Sequence, residues 1–431
     1  MKYYISRMGE RPLDETPILE VGTSLITGLN DFSNYFNQPT TLEEDILVLA
    51  SSIFAADRAT LRGEREDICR EIELEIPLVN ITKFNEVIPF IENTLRLLSN
   101  DAWKLIPRKF DGPNEIITVP KNNGGRTLLF SGGLDSLAAA VLMGKEKKVL
   151  EIVSHITRNP ITARSQQSLT SLLKTKGFNI NHRQFFISSK SDEDLGVDHS
   201  GESSQRTRSF LFMAIGAIVA RRTGNHKVLI MAENGQMAIH LPLTQGRIGA
   251  FSTHTAHPDV IAGSQSIFSK LLSFDLMISN PFIELTKKEV VEIVNNTLPE
   301  AIPFSTSCFR NWRLPAGATH CGECIPCFIR RIAIESLRSD ETAYARDLWI
   351  EDIINLARDD EGRRNLMDLL EFIKFITISS VEEIMSEYPE LYSRNIDQSA
   401  IINMYKRFCV ESNKLFKNYP NIGSLISEDI A

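Results

Sequence analysis

Long apolar runs are missing from this 431-residue sequence. The longest, Phe210 to Ala220, is far too short to span a bilayer, and Met1-Lys-Tyr-Tyr-Ile-Ser-Arg carries no apolar core of a secretion signal. A membrane partner is therefore not expected, and a cytoplasmic location is. An excess of positive charge is missing too. Lys and Arg number 47 against 55 Asp and Glu, and the net charge of −8 has the wrong sign for gripping a phosphate backbone, so nucleic acid is not an expected partner. Arg206, Arg208, Arg221 and Arg222 could still form a local basic face. No Gly-Lys-Ser/Thr follows a glycine-rich stretch, which excludes a Walker A loop. Cysteine is sparse but not scattered. Of six, Cys308, Cys321, Cys324 and Cys327 fall within twenty residues, and in a reducing compartment such clustering means metal rather than disulfides. Cys69 and Cys409 stand alone and read as buried structural thiols.

The composition that remains, 42% hydrophobic and 24% charged, is that of a globular protein, and the length allows two or three folding units. Residues 1–115 mix helical periodicity (Leu42 to Asp57) with alternation (Ile72-Glu-Leu-Glu-Ile-Pro-Leu78) and read as an α+β accessory domain. Turn-forming Asp111-Gly-Pro-Asn and Lys121-Asn-Asn-Gly-Gly125 place a boundary before 125. From Arg126 strands alternate with helices: Thr127 to Phe130, a helix from Ser136, Val149 to His155, a helix around Ser165 to Thr175, Asn181 to Ile187, the apolar helix Arg208 to Arg221, and Val228 to Ala232. That alternation predicts an α/β domain with a parallel sheet over 125–340. Ile329 to Asp359, Gly362 to Ile376, Val381 to Glu387 and Ser399 to Phe416 read as helices, so a helical region is expected over 341–431.

The segment Thr127-Leu-Leu-Phe130, Ser131-Gly132-Gly133-Leu134-Asp135-Ser136, Leu137-Ala-Ala-Ala predicts a strand, a tight glycine turn and a helix start. A glycine pair alone would be an ordinary turn and N-cap. The whole hexapeptide in this setting points to phosphate. Glycines let the backbone approach a ligand, the helix start offers free N–H groups and the positive end of its dipole, and Ser131 and Ser136 add hydroxyls. Asp135 among phosphate oxygens would be repelled without Mg²⁺ or an organising hydrogen bond, so it is expected to place the metal or shape the loop.

Four thiolates from Cys308, Cys321, Cys324 and Cys327 make a closed tetrahedral Zn²⁺ shell, which is structural rather than catalytic. An iron–sulfur cluster fits less well, because the fourth cysteine lies upstream and no Cys-Pro tail follows. His320 could replace one thiolate, although a solvent-exposed neighbour is the plainer reading.

The hexapeptide resembles the loop of PP-loop ATP pyrophosphatases, which cleave ATP between its α and β phosphates to form an adenylated intermediate. With the cysteine cluster about 170 residues later, it is similar to the pattern of QueC, the 7-cyano-7-deazaguanine synthase of the queuosine pathway. Three further segments carry the resemblance: Arg208 to Ala220, Asn280-Pro-Phe-Ile-Glu-Leu-Thr-Lys287, and Thr306-Ser-Cys308. The resemblance implies a Rossmann-like sheet, ATP, Mg²⁺ and Zn²⁺, and a loop that holds the departing pyrophosphate. It implies that Arg208 and Lys287 are the positive charges near the triphosphate and act with Asp135 and Ser136. Both cations open helices, where the dipole disfavours them, which suggests ligand use. A small deazapurine, 7-carboxy-7-deazaguanine or a relative, is the implied substrate. Where the family has an Asp…Tyr-Pro-Asp-Cys stretch for its deazapurine, this chain has Ala232-Glu-Asn-Gly-Gln-Met-Ala-Ile-His240-Leu-Pro242, which leaves the exact substrate open. His240, His254 and His257 are isolated histidines and stand outside the expected catalytic set. The added terminal regions resemble those of enlarged QueC-like proteins from bacterial anti-phage operons, the Qat system and type IV CBASS among them. That implies a defence role and a partner protein encoded in the same operon.

Overall fold

The structure, a computed structural model, describes residues 1–62, 69–113, 115, 118, 121–145, 148–156, 159–189, 202, 204–225, 229–244, 254–312 and 314–427. The amino-terminal part contains β1 (Lys2–Ser6), β2 (Ile18–Glu20), β3 (Leu25–Thr27), α1 (Leu29–Tyr35), α2 (Thr41–Ala59), β4 (Glu71–Leu78), α3 (Ile81–Ser99) and β5 (Ala102–Lys109). Alternation in β4 buries Ile72, Leu74 and Ile76 on one face. Thr40 and Glu43 form a capping box that starts α2, most of whose residues are buried. The sheet order is β2-β1-β4-β5 with every pair parallel; β1, β2 and β3 follow one another with no helix between them, and α3 crosses from β4 to β5.

The second sheet is built from β6 (Arg126–Leu129), α4 (Leu134–Met143), β7 (Leu150–His155), α5 (Pro160–Thr175), β8 (Ile180–Phe185), β9 (Ile187–Ser189), α6 (Arg208–Arg222), β10 (Leu229–Ile230), α7 (Gly235–Ile239), α8 (Pro258–Leu272), β11 (Ile278–Ser279) and α9 (Lys287–Asn295). Val228, expected to open β10, lies outside the described residues. The order β11-β10-β6-β7-β8 is parallel throughout, while β9 leaves it to pair antiparallel with β3. Period-two alternation splits each strand between two cores. Leu128 and Ile152 join the layer of α4 and α9; Leu129 and Val153 join the layer of α6 and α8. Helices α2 and α3 pack on α6 and α8, so the first unit shares a continuous core with the second. Because all five strands run the same way, their carboxyl ends and the helix starts that follow converge on one edge.

The remaining helices are α10 (Ile325–Glu335), α11 (Glu361–Ile378), α12 (Val381–Glu387), α13 (Gln398–Phe416) and α14 (Pro420–Ser427). The helix expected over Ile329 to Asp359 stops at Glu335; beyond it lie turns and a single 3-10 turn at Ile353–Asn355. Local bonds compete with the helix there: Thr342 N donates to Asp340 Oδ1 and Trp349 N to Asp347 Oδ1. Arg346, held by Glu351 at 2.8 Å and Asp360 at 2.9 Å, ties this strap down. Among the described residues no helix is long and apolar enough to cross a membrane.

Candidate active site

The turn after β6 does what its glycines allow. Gly132 has φ +86°, and a Cβ there would press on Gln166 N and Ser165 Cβ at 3.3 Å, so the loop can lie flat against α5. Gly133 is the N-cap of α4 with no side-chain capping bond, which leaves the first-turn amides for a ligand. Ser136 Oγ donates to Gly133 O at 3.0 Å, Gly133 N donates to Ser131 Oγ at 3.3 Å, and Gly132 O accepts from Thr306 N at 3.0 Å. Ser131, Gly132, Gly133, Leu134 and Ser136 therefore form one pre-shaped cradle.

Asp135 points away from that cradle's centre into a charged cluster. Its Oδ2 accepts from Lys287 Nζ at 2.7 Å and from Asn234 Nδ2 at 3.2 Å. Lys287 opens α9 behind a Thr286–Glu289 capping box, and Gln236 Oε1 accepts its backbone N–H at 2.7 Å. Glu233 joins the group from the end of β10, where Asn280 clamps its backbone N and O. Asp135 Oδ1 and Glu233 Oε2 are shielded from water and have no hydrogen-bond partner among the described residues. Orphaned carboxylate oxygens beside a phosphate cradle fit a hard cation such as Mg²⁺, with Asp135 and Glu233 as the residues that would hold it. Burial, and next the Asp135 charge, push the Glu233 carboxyl up to about 8, against the pull of Lys287.

That shift makes a prediction. An unfolded glutamate titrates near ~4.3. Glu233 therefore contributes stability that is complete below that pH and lost as pH rises through about 8. The Glu233→Gln protein, which cannot ionise here, is expected to show a smaller drop in melting temperature between pH 6 and pH 9 without divalent cations. An equal drop in both proteins would assign the pH dependence elsewhere.

The four cysteines converge. Their sulfurs all lie within 4.8 Å of one another, and Cys308 Sγ accepts backbone N–H groups from Arg310 and Cys321 at 3.3 Å, the environment of a thiolate. Gly322, at φ +81°, makes the turn between ligands; a Cβ there would collide with the Arg346 carbonyl oxygen. The donor set fits Zn²⁺. His320 is not the exposed neighbour that was expected. It is fully buried, with Ser307 N donating to Nε2 at 3.0 Å and Thr319 Oγ1 bonded to Nδ1 at 2.9 Å, so no nitrogen is left for metal. Burial, and next Arg330, push its pKa down to about 2. The knot is continuous with the phosphate loop through Thr306, and Arg330 braces the connection by donating to Ser305 Oγ at 2.9 Å and to Ile302 O.

Other expectations fare differently. Arg208 starts α6 as expected, but no hydrogen bond or ion pair joins it to residues 131–136; its guanidinium lies over the Phe212 ring at 4.9 Å. The basic face does not form: Arg206 is buried, while Arg221 and Arg222 both pair with Glu43 at the far end of the helix. Cys409 is buried as expected, whereas Cys69 is exposed. Next to Gln236 opens a cavity of about 200 Å³, walled by His240, His254, Phe309 and Glu390 and by Phe372 and Tyr405 of α11 and α13. Gln236 Nε2, His240 Nδ1, His254 Nδ1 and Glu390 Oε2 are buried there without partners among the described residues. Burial holds His240 at about 4 and His254 at about 3, so both are neutral at pH 7. Glu233, Asn234 and Gln236 sit in the segment where the chain departs from the expected deazapurine motif. The signal that could have found them is position: they follow the carboxyl end of a parallel strand, where such folds place ligands.

A parallel sheet that offers an uncapped helix start behind a glycine turn, with no Walker lysine, defines a PP-loop nucleotide domain. Residues 126–338 match the family model described as queuosine biosynthesis protein QueC, and this segment belongs to that QueC-like PP-loop family. Its activity is accordingly that of an ATP-utilising enzyme related to 7-cyano-7-deazaguanine synthesis. No curated protein matches the chain.

Proposed function

We propose that the protein adenylates the carboxylate of a 7-deazaguanine, 7-carboxy-7-deazaguanine or a relative, and passes the acyl group to an amine. The observation that supports this most directly is the Asp135–Lys287 pair at the uncapped start of α4, beside a cavity with room for a purine-sized acid. The amides of the loop hold the β and γ phosphates. A carboxylate oxygen attacks the α phosphorus, the bond to the bridging oxygen breaks, and pyrophosphate leaves with that electron pair. Lys287 and the loop amides neutralise charge that grows on the leaving group. Mg²⁺ at Asp135 and Glu233 would add Lewis-acid stabilisation. The amine then attacks the acyl carbon, AMP departs, and the nitrogen loses a proton.

Ammonia as acceptor yields an amide, the precursor of a nitrile; an amine of a partner protein yields a conjugate. We favour the protein acceptor and an anti-phage setting, because the chain carries large regions outside 126–338 and two of their helices wall the cavity. Pyrophosphate release from ATP and Mg²⁺ by the purified protein, with and without 7-carboxy-7-deazaguanine, tests the reading. Release stimulated by the acid, with a mass shift on a protein, is the expected result. Release indifferent to the acid would remove the substrate. A conjugate-free product with ammonia as the sole competent amine would remove the protein acceptor.

A further inference from the structure

Interior arginines of the amino-terminal unit carry their counter-ions with them. Arg7 pairs with Asp45 at 2.9 Å, Arg62 with Asp101 at 2.6 Å, and Arg70 with both Asp57 and Asp101. Arg58 does not. It follows Asp57, whose Oδ2 accepts from Thr207 N and Thr207 Oγ1 at 2.9 Å each, a clamp between the end of α2 and the start of α6. Arg208 follows Thr207, and the clamp brings the two side chains near enough for the Arg58 charge to act on the Arg208 guanidinium. Neither makes a hydrogen bond or an ion pair with any described residue, and the Nε of each is shut off from water. Ser209, 3% exposed, has an unpartnered Oγ on the first turn of α6, and Thr207 provides no side-chain cap. His155, whose ring contacts Phe212 at 5.7 Å, is held neutral by burial and by Arg208, so it brings no negative charge.

The two guanidinium groups are half-buried like charges that repel one another, with each Nε shut off from water and no counter-ion among the described residues, an arrangement open to an anion that enters from outside. Burial, and next Arg58, lower the Arg208 pKa, which agrees with this crowding. We propose that Arg58 and Arg208, with the Ser209 hydroxyl and the amides at the start of α6, form an oxyanion site to which the amino-terminal unit contributes one of the two cations. The site lies on the same edge of the sheet as the phosphate loop but on the layer of α6. Its ligand is a phosphate or carboxylate group: the terminal phosphate of the nucleotide, or the acid group of the second substrate. Which of the two occupies it rests on the ATP reading above; the existence of the site does not.

The test uses the full chain and Arg58→Met, with Arg58→Lys as the conservative variant. Inorganic phosphate is titrated against chloride at equal ionic strength with melting temperature as the readout. The phosphate-induced rise is expected to fall to half or less in Arg58→Met and to survive in Arg58→Lys. In phosphate-free buffer the Met variant should melt no lower than the parent, because the replaced charge had no partner. Calorimetry then separates the sources. A tenfold loss of affinity for ATP but not for AMP assigns the terminal phosphate, and a tenfold loss for 7-carboxy-7-deazaguanine with ATP unchanged assigns the acid. A Met variant that melts lower and keeps the full phosphate response would make Arg58 a structural cation and overturn the proposal. A parent protein that responds to phosphate through Arg58 yet binds no ATP would leave the oxyanion site standing and sink the ATP reading instead.

Discussion

Lys287→Ala is expected to cut ATP-dependent pyrophosphate release by about 10²–10³-fold, the scale of removing one preorganised charge from a transition state. The ammonium meets Asp135 Oδ2 at 2.7 Å at the start of α4, and its helix is pinned by the bond from its own backbone N–H to Gln236. Without it, Asp135 is left at the phosphate site with no fixed cation on its Oδ2. The uncompensated Asp135 charge repels the nucleotide, so the loss should appear in the rate and in ATP binding. Stranding a buried charge can also cost about 3–5 kcal/mol of stability, so the melting temperature is followed in parallel. Lys287→Arg keeps the charge but not the compact ammonium geometry, and intermediate activity is expected of it. Full activity in folded Lys287→Ala would remove the residue from the chemistry and return it to a structural partner of Asp135.

Cys324→Ser should release the zinc and destabilise the domain by roughly 4 kcal/mol or more, the range in which loss of a structural metal falls. For a unit of this size that is on the order of 10 °C in melting temperature. Cys324 is the N-cap of α10, and Cys327 lies in its first turn, so an unfilled thiol set frees the start of the helix that carries Arg330. Arg330 in turn holds the strap that delivers Thr306 to Gly132. Loss of metal is therefore expected to loosen the phosphate loop as well, and ATP affinity should fall together with metal content. Metal analysis on the purified variant and a melt with and without added Zn²⁺ measure the first effect, and nucleotide titration the second. A variant that lost zinc but bound ATP as before would separate the knot from the loop.

Much of the central domain could be read from local pattern. The glycine turn, its strand and its helix occupy the expected segment, because glycine freedom and apolar alternation act over a few residues. The cysteines converge as their spacing required. Helices such as Val381–Glu387 and Gln398–Phe416 declare themselves by periodicity. The strap over 336–360 did not, since Leu348, Trp349 and Ile353 are buried by a fold-back that side-chain bonds hold, not by a helix face. Nor did the parallel pairing of the amino-terminal strands, which depends on which strand lies beside which.

By itself the sequence determined the phosphate loop, the thiolate set and the parallel order of the central sheet, because each rests on residue types acting at short range. Only the tertiary structure decided who surrounds them. It brought Glu233 and Lys287 to Asp135, turned His320 from a ligand candidate into a buried brace, dispersed the arginines of α6 and set Arg58 near Arg208. Several of those contacts join residues 150 to 178 positions apart, and their charges acquire meaning only through burial, a property that no local pattern encodes.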